Sequence, residues 1–146
     1  MKALFIGGTG VISAAVSRLA VERGIDLTLL NRGRQDEFFP RGAKQIVADS
    51  RDRAAVREAL RGKSFDVVAD WIAYTPEQAA ADVELFSGST GQYFFISSAS
   101  AYQKPPAHWP LTESTPLVNP CWQYSRDKIA CEDLLVRFGR CCHPIP

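Results

Sequence analysis

Apolar residues gather in five short runs. Lys2-Ala3-Leu4-Phe5-Ile6 opens the chain, and Asp26-Leu27-Thr28-Leu29-Leu30 and Gln45-Ile46-Val47-Ala48 follow. Asp66-Val67-Val68-Ala69-Asp70-Trp71 and Gln92-Tyr93-Phe94-Phe95-Ile96-Ser97-Ser98 complete the set. Their apolar character is continuous rather than alternating, as in strands covered on both faces. Between them the period changes to that of a helix. Ile12, Ala15, Val16 and Leu19 recur as one apolar face, with Arg18, Glu22 and Arg23 outward and Gly24 placed to stop the helix. Residues 52–61 and 76–86 predict two more helices, the second with a proline near its first turn. Residues 35–44 read as loop, and 99–120 as a long irregular stretch rich in Pro, Ser and Thr, of a length that is usually functional or mobile. A last helix begins at Tyr124 and carries Ile129, Ala130, Leu134, Leu135 and Phe138 on its expected buried side.

Strand and helix alternate throughout, which predicts an α/β fold with a doubly wound parallel sheet. Right-handed crossovers then set the strand order 3-2-1-4-5. With 146 residues, 46% of them hydrophobic, the chain is one domain's worth and can bury about two-thirds of its unfolded surface. Seventeen basic and 16 acidic residues are interspersed, so no field favours nucleic acid or an anionic membrane. No apolar run approaches a membrane span, and the default expected location is the cytoplasm. The cysteines, at 121, 131, 141 and 142, form no C-x-x-C pair and are expected as free thiols; Cys141-Cys142-His143 is set aside as a metal tract for want of a distant partner.

The first run leads straight into Gly7-Gly8-Thr9-Gly10-Val11-Ile12-Ser13. Glycines allow positive φ and close backbone approach, and the helix that follows presents unpaired N–H groups at its positive dipole end. Gly7, Gly8, Thr9, Gly10, Val11 and Ile12 are therefore a candidate pyrophosphate cradle, with Ser13 small enough to replace the third glycine of the usual G-x-G-x-x-G spacing. At the end of the second run an NAD-binding unit would place an acid for the ribose hydroxyls. Asn31, Arg32 and Arg34 stand there instead, which favours NADP over NAD, unless the arginines only solvate the loop. Asp49 either hydrogen-bonds an adenine amino group or opens the next helix; Ser50 and Ala73 join the candidate cofactor set beyond the third and fourth runs.

Tyr124 and Lys128 are four apart on the last helix and share a face. A tyrosine acting as acid and base near neutrality needs its phenolate favoured, and an adjacent ammonium has the right sign. Lys128 could also hold a cofactor ribose. The fifth run ends in Ser97-Ser98, which brings a hydroxyl to the edge where doubly wound sheets bind ligands.

With Leu-Phe-Ile-Gly-Gly-Thr-Gly-Val-Ile-Ser at 4–13, Phe-Phe-Ile-Ser-Ser-Ala-Ser-Ala-Tyr at 94–102, Leu-Thr-Glu-Ser-Thr-Pro-Leu at 111–117 and Tyr-Ser-Arg-Asp-Lys at 124–128, the chain resembles the extended short-chain dehydrogenase/reductase superfamily, in its NAD-dependent epimerase/dehydratase branch. The resemblance covers residues 2 to about 138 and implies a Rossmann domain over 1–139, with an irregular tail at 140–146. It implies Tyr124 as the acid/base, Lys128 as its electrostatic partner and ribose ligand, and Ser98 as the hydroxyl that orients a substrate alcohol or carbonyl, with Ser97 and Ser100 as weaker candidates. The implied activity is an oxidoreductase or epimerase acting on a secondary alcohol or carbonyl, with a sugar nucleotide as the candidate substrate. Ala99-Ser100 stand where the branch's dehydratases carry an acidic pair, which disfavours dehydration. The Asn31-Arg32-Gly33 turn also resembles chloroplast stem-loop RNA-binding members, which can lose the catalytic pair; retention of Tyr124 and Lys128 favours redox chemistry. Members of the superfamily continue into further strands and a substrate region, whereas this sequence turns to Pro144 and Pro146. The expectation is a truncated chain with impaired turnover, its C-terminal strands missing and its open sheet edge available to a homodimer.

Overall fold

The computed structural model describes residues 1–34 and 36–141. Its elements are β1 (Lys2–Ile6), α1 (Val11–Glu22), β2 (Asp26–Asn31), β3 (Lys44–Val47), α2 (Arg53–Ala59), β4 (Phe65–Asp70), α3 (Pro76–Phe86), β5 (Thr90–Phe95) and α4 (Gln123–Cys141). Short 3-10 turns occupy Asp36–Phe38 and Ala99–Ala101. Cys142, His143 and the remainder of the expected tail lie outside the described residues. The fold is the expected Rossmann arrangement: five parallel strands in the order β3-β2-β1-β4-β5. β5 stops at Phe95, so Ser97 and Ser98 follow the strand instead of ending it.

Two compact units divide the chain, one of residues 1–72 and 83–96, the other of 73–82 and everything from Ser97 onward. The first contains the whole sheet. Side chains alternate across it, so Leu4, Ile6, Leu30 and Val68 meet Val56 of α2, Leu60 at its C-terminal cap and Phe86 of α3 on one face. Ala3, Phe5, Leu27, Leu29 and Ala69 meet Ala20 of α1 on the other. Each fully buried leucine or valine contributes about 1.5–3 kcal/mol by leaving water. β1 and β2 are buried on both faces as their sequence predicts, while the edge strands β3 and β5 are largely open.

The face of α1 corrects the sequence reading. Ser13, Ala14, Ser17 and Ala20 are buried, and Val11, Ile12, Val16 and Leu19 are exposed. Small side chains let the helix approach the sheet closely enough for the Ser17 hydroxyl to donate to the Gly8 carbonyl at 2.8 Å, a bond that leucine or valine in that place would obstruct. Arg18, Glu22 and Arg23 do face outward, and Gly24, at φ +75°, closes the helix by donating to the Val21 carbonyl while Ile25 donates to Ala20. α2 is capped by Asp52, whose carboxylate accepts from the Ala55 N–H, so Asp52 and not Asp49 opens that helix.

The second unit begins with Thr75, Pro76 and Gln78 at the head of α3, where the Gln78 side chain accepts from the Tyr74 and Thr75 amides and the Thr75 hydroxyl accepts from the Gln78 amide. This is a reciprocal cap that satisfies donors left open by helix geometry. The Thr75 hydroxyl also holds the Glu77 carboxyl below its ordinary range. α4 carries the second correction: Ser125, Lys128 and Cys131 are its buried residues, while Ala130 and Phe138 are exposed and Ile129, Leu134 and Leu135 half-buried. Its inward stripe is polar because its hydroxyl and ammonium have partners.

The turn after β1 sets the strictest steric condition in the first unit. Gly8 has φ +90°, and a Cβ there would lie 2.7 Å from a methyl of Leu29, itself wholly buried. Gly8→Ala is expected to cost about 1–3 kcal/mol of folding stability through combined backbone strain and overpacking, read as a lower urea midpoint. A midpoint within error of wild type would show that the turn tolerates a side chain.

Candidate active site

The glycine turn is built from both neighbours of β1. Gly7, at φ +100°, donates its N–H to the Leu30 carbonyl of β2 at 2.8 Å, and a Cβ on it would meet Ile72 Cγ2 at 3.1 Å. Within this turn positive φ is used at Gly7 and Gly8; Gly10 is extended, at φ −80°, and is the residue before the helix. The Ser13 hydroxyl accepts the Gly10 N–H at 2.9 Å, which gives this serine a task beyond being small. Thr9 is buried, whereas Val11 and Ile12 stand in solvent at 97% and 74% exposure at the head of α1. Backbone N–H groups in a helix's first turn have no partner within the helix, so this end suits an anion.

On either side of β1 stand two buried donors with no hydrogen-bond partner among the described residues, Asn31 Nδ2 at the end of β2 and Trp71 Nε1 just past β4. The Asn31 amide is oriented by its other end, since Oδ1 accepts from Gly33 N at 2.8 Å and from Gln45 Nε2 at 3.0 Å. Arg32 and Arg34 are exposed about the Gly33 turn. Asp49 is exposed and accepts from Arg51 N, with Ser50 half-buried beside it. Trp71 was not among the residues singled out from sequence. It reads there as one more apolar residue of a strand; in the structure its ring packs against Phe5, at 5.7 Å between ring centroids, and its N–H is enclosed.

In the second unit Lys128 is 1% exposed, and its ammonium donates to the Ala73 carbonyl at 2.8 Å. The same ammonium lies 5.1 Å from the Tyr74 ring centroid and 5.9 Å from that of Tyr124, within range of the attraction between a cation and an aromatic face. Tyr124 is half-buried and packs against Trp122 and Tyr74, at 4.8 and 6.0 Å between centroids. The structure thus brings together Ala73, Tyr124 and Lys128 from the sequence-predicted set and adds Tyr74 and Trp122, which sequence reasoning missed although Trp122 lies only two residues before Tyr124.

Ser98 precedes the 3-10 turn, and its hydroxyl accepts from Ser100 N and pairs with the Ser100 hydroxyl at 2.8 Å. Ser97 instead donates to the carboxylate of Glu132 on α4 in a short hydrogen bond. That commits Ser97 to holding α4. Among the described residues no group of three His, Cys, Asp or Glu side chains could hold a metal ion, and no helix is long and apolar enough to cross a membrane.

The sequence pattern of the NAD dependent epimerase/dehydratase family matches residues 3–142. The chain belongs to that family. It is 30% identical over 116 residues to the chloroplast stem-loop binding protein of 41 kDa b from Arabidopsis thaliana, a match covering 70% of this chain and 30% of that protein. Its fold is similar to a UDP-glucose 4-epimerase, with a TM-score of 0.84, 21% identity and coverage of 97% of this chain and 48% of that one. A UDP-glucose 4-epimerase from Bifidobacterium longum, solved in complex with NAD+ and UDP, gives 0.82 at 18% identity, over 97% and 50%. At these identities the likeness is one of fold. This family member spans under a third of the curated relative and about half of the epimerase chains.

The burial of Lys128 yields a test of what holds it. Lys128→Ala is expected to lose about 2–4 kcal/mol in urea unfolding, because it leaves a cavity and takes the donor from the Ala73 carbonyl. Lys128→Met takes the same donor but keeps the volume and removes a charge that is costly to bury, so its loss is expected to be smaller, about 1–2 kcal/mol. Equal losses in the two variants would show that the ammonium and its hydrogen bond, not the packing, sustain this part of the fold.

Proposed function

We propose that this chain is the nucleotide-binding portion of a nicotinamide-dependent oxidoreductase or epimerase acting on a secondary alcohol or carbonyl, with a sugar nucleotide as substrate. The observation that carries the reading is the pair of enclosed donors, Asn31 Nδ2 at the end of β2 and Trp71 Nε1 just past β4, the strands on either side of β1 and its positive-φ turn of Gly7 and Gly8. Buried donors without partners are costly in a folded protein, and a ligand rich in acceptor oxygens relieves that cost. A dinucleotide diphosphate fits such a turn, and the nicotinamide ring supplies hydride exchange when it is bound.

The chain's own residues divide the remaining work. Gly7, Gly8 and Gly10 shape a turn that lets the diphosphate approach the backbone closely, Thr9, Val11 and Ile12 present backbone N–H groups to it, and Asp49 and Ser50 meet the adenosine end. Tyr124 gives and takes the proton of the substrate oxygen. Lys128, held by the Ala73 carbonyl, sets a positive charge near that phenol and hydrogen-bonds the ribose. Ser98 orients the substrate oxygen. The region 1–139 acts as the nucleotide-binding domain of this reading.

The cofactor favoured is NADP. Asn31 holds Nδ2, a donor without a partner among the described residues, beside the turn because its Oδ1 is occupied, and a donor suits a phosphate oxygen where an acid would suit ribose hydroxyls. Arg32 and Arg34 add the charge for a 2′-phosphate. NAD is the alternative, supported by the NAD+ complex of the B. longum neighbour. A charge-assisted contact to the 2′-phosphate is worth about 1.5–3 kcal/mol, so NADP(H) is expected to bind roughly tenfold or more tightly than NAD(H), with Arg32→Ala removing most of the difference in calorimetric titration. Equal affinities in the wild type would defeat the NADP assignment.

For the chemistry, Tyr124→Phe is expected to lower turnover of a UDP-sugar by at least about 100-fold while nucleotide affinity changes less than about twofold. Unchanged turnover would remove Tyr124 from the proton transfer. The likeness to a stem-loop binding protein supports a second reading, a non-catalytic RNA-binding member. Affinity for an RNA hairpin that falls steeply with salt, in a chain with no turnover, would decide for it.

A further inference from the structure

We propose that Asn119, Ser125 and Ser100 are positioning residues that hold Ser98 as a hydrogen-bond donor, so that the ligand atom it meets is an acceptor oxygen, a carbonyl or an alkoxide. The inference rests on the proposed reading only in placing Ser98 against the substrate.

Four residues form one hydrogen-bonded series within the second unit. Asn119 is 6% exposed, and its amide orientation is set by the backbone, because Oδ1 accepts the Cys121 N–H at 3.0 Å. Its Nδ2 therefore carries the protons, one donated to the Ser100 carbonyl at 2.7 Å and the other to Ser125 Oγ at 3.2 Å. Ser125 is fully buried, so its hydroxyl has no water to turn to.

A hydroxyl has one proton and two acceptor positions. Ser125 Oγ accepts from Asn119 and spends its own proton on Ser100 Oγ, 3.0 Å away. Ser100 Oγ has then accepted one hydrogen bond, and we assign its own proton to the 2.8 Å contact with Ser98 Oγ, where either oxygen could donate. Ser98 Oγ already accepts the Ser100 N–H at 3.2 Å, so both its acceptor positions are filled from behind. What remains is its proton, directed away from the series. Each bond in such a series polarises the next, which strengthens the donor at its end. That donor stabilises an oxygen gaining negative charge, as a carbonyl does on reduction or an alcohol on losing its proton.

Asn119→Asp tests the direction with a side chain of the same shape, although it also sets a carboxylate oxygen against the Ser100 carbonyl that Nδ2 meets at 2.7 Å. A carboxylate has no N–H, so it accepts from Ser125; Ser100 then turns to Ser125, and Ser98 turns inward to Ser100. The hydroxyl at the end becomes an acceptor.

Neutron diffraction on deuterium-exchanged crystals of the wild-type chain reads the direction without any need for turnover. The expected map places the Ser100 deuterium between Ser100 and Ser98, and the Ser98 deuterium outside that pair. A Ser98 deuterium lying between the two oxygens overturns the proposal. With that map in place, absence of UDP-sugar turnover would count against the functional reading while the donor assignment stands. Where turnover is measured, Asn119→Asp and Ser98→Ala are each expected to lower kcat about 10- to 100-fold with KM changed less than threefold, and the double variant to be no worse than either. Multiplying losses in the double variant would overturn the coupling. Should Asn119→Asp fail to fold by its thermal melt, Ser100→Ala breaks the same series at its middle and carries the same expectation of non-additivity with Ser98→Ala.

Discussion

Backbone at positive φ immediately after β1 is the constraint on which the first unit depends. Only glycine adopts it without strain, and Gly7 and Gly8 do so side by side. The Gly7 N–H then reaches the Leu30 carbonyl and the Gly8 carbonyl receives the Ser17 hydroxyl, so one turn is tied to β2 on one side and to α1 on the other. From this follows the small-residue face of α1: Ser13, Ala14, Ser17 and Ala20 are inward because a helix joined this tightly to the strand before it leaves no depth for larger side chains. Val16 and Leu19, which periodicity alone assigns to the core, go to the outside.

The second unit is organised by polar groups that face inward. A helix whose buried stripe is Ser125, Lys128 and Cys131 gains little from hydrophobic burial along that line, and the cost of enclosing a hydroxyl and an ammonium is met by specific partners. Ala73 takes the ammonium, Ser100 takes the hydroxyl, and Glu132 takes Ser97 one turn further on. Such bonds have defined length and direction, which apolar contacts do not, and they place the helix to within a narrow range of positions. The same bonds set the side chains that the chemistry would use, so packing and positioning here are one set of interactions.

Family membership and these two groups of residues agree without being the same argument. The family match covers nearly the whole chain, whereas the solved neighbours, at about 20% identity, speak for the fold. The enclosed donors of Asn31 and Trp71 and the buried ammonium of Lys128 come from this molecule's own packing.

The order of elements, the parallel sheet, the 3-2-1-4-5 topology and the glycine turn were all legible in the sequence, because each rests on local properties: the period of the apolar residues, the handedness of crossovers and the freedom of glycine at positive φ. Tyr124 and Lys128 were legible because four residues of helix bring two side chains to one face. The tertiary structure alone decided which faces of α1 and α4 turn inward, that Asp52 and not Asp49 caps α2, and that Trp71 encloses its N–H. It alone joined Lys128 to Ala73, 55 residues away, and Asn119 to Ser100, 19 away. Periodicity marks where apolar side chains recur but carries no measure of how closely two elements approach, and a hydrogen bond between distant residues leaves no trace in the spacing of either.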